Sequence, residues 1–174
     1  MARLYQQPLC VFTALAVPWL TLAAPGWLSL KGIAPAWAVL WLLPWALVDG
    51  PFSGLIAGLS LGLILDGLSL GGASQIPVLV GLGWWWGRLG RRVGLIERSF
   101  NLGLLAWIGT SLLGLSLWLQ IFWVQTFWLQ KTVTGAWLEH WGWRSFLTQA
   151  LVTGLVAPML SSWLLLFWRR RSPN

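Results

Sequence analysis

The side chains able to act as acid, base, metal ligand or thiol nucleophile are few in this sequence: Asp49, Asp66, Glu97, Glu139, one histidine, His140, and one cysteine, Cys10. Glu139 and His140 are adjacent, so an acid/base pair is conceivable there, although a polar loop is the simpler reading. Glu97 stands among Arg91, Arg92 and Arg98 and is expected to pair with one of them. A lone cysteine forms no intramolecular disulfide, and with a single histidine a Cys/His metal site has no ligand set. No serine sits in a nucleophile elbow at the end of a strand, and no glycine-rich phosphate loop follows one, because no strand is expected. The expectation is a protein that is not an enzyme and holds neither metal nor cofactor.

Asp66 is the exception. It follows Gly54, Gly58 and Gly62 at four-residue intervals, and that spacing keeps all four on one helix face. Three glycines in this register form a smooth ridge for close backbone packing. In a membrane such small-xxx-small faces associate helices by van der Waals contact, because lipid tails are as apolar as the side chains. An acid at membrane depth is costly, and near the C-terminus of its own helix it also opposes the macrodipole. Something nearby must compensate. Asp66 is expected to cap the following helix through the amides of Ser69 to Ser74, to accept hydrogen bonds from a neighbouring span, or to serve a partner. A proton or ion path ranks below these, because no other acid or base falls inside an apolar run.

The elements that would hold these residues are membrane helices. Hydrophobic residues make up 57% of the 174 and charged residues 9%, whereas soluble domains carry about 25% charged residues. A single transmembrane domain over 1–174 is expected, with the lipid bilayer as its surroundings. The net charge of +7 comes from basic residues flanking apolar runs, so nucleic acid is rejected as a partner. Six spans are read: Pro8–Ala24, Pro35–Val48, Phe52–Leu65, Ser74–Gly87, Ser99–Val124 and Phe146–Trp168. The first resembles a signal peptide only superficially, having no small-x-small cleavage site. Asp49-Gly50-Pro51 makes a tight turn, with Pro51 opening the next helix. That third run reaches only about 21 Å at the helical rise, against a hydrocarbon core of roughly 30 Å. Either the helix therefore continues to about Leu70, or Asp66 lies in a sheltered turn. Pro77 is expected to interrupt the fourth span. The 17 tryptophans are spread along the chain and read as interfacial anchors and packing.

Six spans put both termini on one side. With the termini cytoplasmic, Arg3, Arg88, Arg91, Arg92, Arg98, Arg169, Arg170 and Arg171 lie inside, and Lys31, Lys131 and Arg144 outside. This asymmetry fixes the expected orientation.

The sequence resembles a known family, the bacterial rod shape-determining membrane protein MreD. The similarity is densest from Pro35 to Gly72: a Pro-x-Trp opening, an apolar span running to Leu47 and Pro51, the ladder Gly54, Gly58 and Gly62, then Ile64-Leu65-Asp66 and Ser69. It returns at Gly154, Pro158 and the basic tail. The resemblance implies an all-α polytopic protein of the bacterial cytoplasmic membrane, similar in architecture to the substrate-binding subunits of energy-coupling-factor transporters. It implies a non-enzymatic scaffold that binds MreC and works beside MreB, the glycosyltransferase RodA and a class B penicillin-binding transpeptidase in wall elongation. The alternative is a vitamin-binding subunit of such a transporter, with Asp66, Gln75, Gln120 and Gln125 lining a polar pocket.

Overall fold

The computed structural model describes residues 12–23, 34–68, 73–92, 99–123 and 143–171. Six α-helices carry these residues: α1 (Ala16–Ala23, preceded by a 3-10 turn at Thr13–Leu15), α2 (Trp37–Asp49), α3 (Pro51–Leu68), α4 (Ile76–Arg92), α5 (Ser99–Trp123) and α6 (Trp143–Arg171). No strand occurs among the described residues. Among the described residues, three stretches are long and apolar enough to cross a membrane: Pro51–Leu68, Asn101–Trp123 and Leu147–Phe167. The chain is an all-helical membrane protein.

The bundle is built around α2. All of Trp37 to Leu47 is buried, and α2 touches each of the other five helices. A helix that is apolar on every face has no side suited to water and belongs inside a bundle. At 13 residues it rises only about 20 Å, well short of the roughly 30 Å hydrocarbon core. The expected second span is therefore a central packing helix with neighbours on all sides.

Pro44 lies within α2 and Pro158 within α6. Pro77, by contrast, does not interrupt its helix. It is the second residue of α4, where a missing N–H costs nothing, because that donor would have no intrahelical partner. Between α2 and α3, Gly50 takes φ 97°, a conformation side chains resist, and its N–H closes on the Ala46 carbonyl at 3.1 Å. Pro51 then opens α3 and is buried.

The tryptophans divide between core and surface. Trp37, Trp41, Trp45 and Trp86 are buried, while Trp19, Trp123 and Trp163 are exposed. Trp41 and Trp45 stack at 4.8 Å and donate their indole N–H groups to Thr13 and Ser53. The indole nitrogens of Trp37 and Trp86 are buried with no hydrogen-bond partner.

Candidate functional site

Gly54, Gly58 and Gly62 are all buried and face α4. A methyl group placed on Gly54 would lie 2.9 Å from the Gly83 carbonyl carbon, and one on Gly58 would lie 2.7 Å from that of Leu79. On Gly62 it would lie 2.8 Å from the Ile76 Cα. These obstacles are backbone, so no rotamer change removes them. The matched pairs run in opposite directions along the chain, which makes α3 and α4 antiparallel.

The opposing face is also glycine. A methyl on Gly83 would meet the Gly54 carbonyl carbon at 2.6 Å, one on Gly87 the Gly50 carbonyl carbon at 2.5 Å, and one on Gly90 the Leu47 Cα at 2.9 Å. The sequence reading missed this second ridge, although Gly83 and Gly87 stand four residues apart as Gly54 and Gly58 do. Two smooth faces let the backbones approach without intervening side chains. A further close approach joins α5 to α6, where a methyl on Gly103 would lie 3.0 Å from the Gly154 carbonyl oxygen.

Asp66 sits in the last turn of α3, at the α4 end of the ridge. Its Oδ2 accepts the Ser74 hydroxyl at 2.5 Å and its Oδ1 accepts the Gln75 amide at 2.8 Å. The Ser74 hydroxyl oxygen in turn accepts the Ile76 amide at 3.2 Å. From α5, the Gln120 carboxamide closes on the Ser74 backbone at two points, accepting from its N–H and donating to its carbonyl, both at 2.8 Å. The amides of Ser74, Gln75 and Ile76 are thus all satisfied, and Pro77 has none to satisfy. A helix start that would otherwise strand donors in a membrane is closed. The arrangement also supplies the compensation Asp66 requires, because its carboxyl stands at the helix end where the macrodipole favours negative charge.

A second closure lies at the start of α2. The Ala36 amide, at the start of α2, donates to the Thr153 hydroxyl at 3.0 Å, and the Gln149 carboxamide donates to the Ala34 carbonyl at 3.4 Å. Here α6 does for α2 what α3 and α5 do for α4.

The basic residues are less convergent. Arg88 is exposed, and its guanidinium lies 4.3 Å from the centroid of the Trp84 ring. Arg91 and Arg92 complete α4, and Arg169, Arg170 and Arg171 complete α6. Arg3, Cys10, Lys31, Ser69, Gly71, Gly72, Glu97, Arg98, Gln125, Lys131, Glu139 and His140 lie outside the described residues. No group of three or more His, Cys, Asp or Glu residues able to hold a metal occurs among the described residues. The chain matches no protein-family model, no curated protein and no solved structure.

Proposed function

We propose that this protein is a non-enzymatic scaffold of the bacterial cytoplasmic membrane, of the MreD type, that supports wall elongation by holding MreC together with MreB, RodA and a class B penicillin-binding transpeptidase. Both termini are cytoplasmic in this reading. The supporting observation is how the intramembrane polar groups are used. Asp66, Ser74 and Gln120 are bound to one another and to the start of α4, so they close the bundle instead of lining a pocket for a polar vitamin. A helical body that engages Asp66, Ser74 and Gln120 internally suits a protein that positions partners.

The test is depletion in the native cell, with MreC pull-down from detergent extracts. Rounded cells and recovery of MreC are expected. Persistent rod shape with failed uptake of a vitamin would replace the scaffold by the transport subunit. Orientation is checked by thiol labelling of single cysteines at Asn174 and Gly135 in a Cys10→Ser background, which should react from opposite sides.

A further inference from the structure

Between α4 and α5 runs an open apolar groove of about 450 Å³, a volume within the range of small-molecule clefts. Val78, Leu82 and Trp85 form one wall, and Leu112, Leu115 and Leu119 the other. Leu112, Leu115 and Leu119 are each roughly half exposed, and a methyl placed on Gly81 would find nothing within 4 Å. The groove is therefore real space along the side of the bundle.

Its length limits what can fill it. Val78 to Trp85 covers about 10 Å of helix and Val78 to Arg88 about 15 Å, half the hydrocarbon thickness of roughly 30 Å. A spanning helix from a partner or a second copy would need a trough running the full depth. One lipid tail occupies one leaflet.

A cation stands just beyond the lined part of the groove. Arg88 lies one turn beyond Trp85, exposed and held over Trp84. The neighbouring Gly87 abuts the Gly50–Pro51 turn, so Arg88 is level with the point where the α2–α3 backbone reverses. Arg91 and Arg92 follow in the next turn of the same helix. Basic side chains between helices at headgroup level bind anionic headgroups.

We propose that this groove holds one acyl chain of an anionic phospholipid whose phosphate rests on Arg88. The site is independent of the scaffold reading, since it requires neither MreC nor any wall enzyme.

The experiment is native mass spectrometry of the protein in nanodiscs of mixed phosphatidylglycerol and phosphatidylcholine, released into mild detergent. Retention of one phosphatidylglycerol, at about tenfold preference over phosphatidylcholine, is expected. Gly81→Leu brings an apolar side chain to the groove from a Cβ with nothing within 4 Å and should abolish retention at unchanged thermal stability. Arg88→Gln, at an exposed position, should remove the headgroup preference. A photo-reactive residue replacing Leu115 should yield an adduct of lipid mass. Equal retention of the two lipids by the wild type, wild-type behaviour of Arg88→Gln, or a protein adduct from position 115 would each overturn the proposal.

Discussion

Gly58→Ala adds one methyl group and should nevertheless destabilise the protein. The methyl would lie 2.7 Å from the Leu79 carbonyl carbon and 3.0 Å from the Val80 nitrogen, where carbon contacts are comfortable at about 3.5–4.0 Å. Relief requires α3 and α4 to separate by roughly 1 Å, and that separation is transmitted to Gly54 and Gly62 on the same face. Overpacking of this kind costs about 1–3 kcal/mol, against a helix-propensity gain for alanine over glycine of about 0.8–1.0 kcal/mol. The net effect is a loss of up to about 2 kcal/mol. Gly81→Ala, one helix away with nothing within 4 Å, receives the same propensity gain without the clash and should be neutral or stabilised. The difference between the two variants isolates the clash. It is read by reversible unfolding in mixed detergent micelles, followed by intrinsic tryptophan fluorescence. Gly58→Ala as stable as Gly81→Ala would refute backbone contact along this ridge.

Substitutions at two further positions probe the helix closures. Asp66→Leu leaves the Gln75 amide and the Ser74 hydroxyl without their acceptor and should cost about 1–3 kcal/mol, whereas Asp66→Asn keeps an acceptor and should retain most of the stability; thermal melts of the two variants in detergent make the comparison. Thr153→Val preserves shape but removes the acceptor of the Ala36 amide, so a loss of at least about 1 kcal/mol is expected, with faster hydrogen exchange at Ala36 as the local readout.

The ridge was legible because glycine at four-residue spacing is a geometric statement about a helix, and Asp66 was legible because an acid in an apolar run demands an explanation. Capping was expected through the amides of Ser69 to Ser74; the amide that Asp66 accepts is that of Gln75, one residue further on, and from Ser74 it takes the hydroxyl instead. The partner of the ridge was equally present in Gly83 and Gly87, but these glycines stand among Trp84, Trp85, Trp86 and Arg88, a composition that also marks the bilayer edge. What the sequence could not show was which side chains from distant helices complete the starts of α2 and α4. Gln149 and Thr153 are unremarkable in sequence, Gln120 was read there only as a candidate pocket residue, and their roles as helix closures arise only when α5 and α6 are placed. The central position of α2 had a signal in its apolar character on every face. Hydropathy alone does not distinguish a helix surrounded by lipid from one surrounded by helices, and only the length of α2 hinted at the difference.

The closure of α2 by α6 also imposes an order on biosynthesis. The Ala36 amide and its acceptor on Thr153 are 117 residues apart, which at ribosomal speed is roughly 6–23 s of elongation. For that interval the most apolar helix of the molecule has no permanent cover on the side α6 will occupy, and its first turn must borrow hydrogen bonds from water, lipid headgroups or the insertion machinery. The nascent chain is thus held in a half-assembled state until its last helix arrives. Truncation ahead of α6 removes the lid from the core as well as one wall of the bundle.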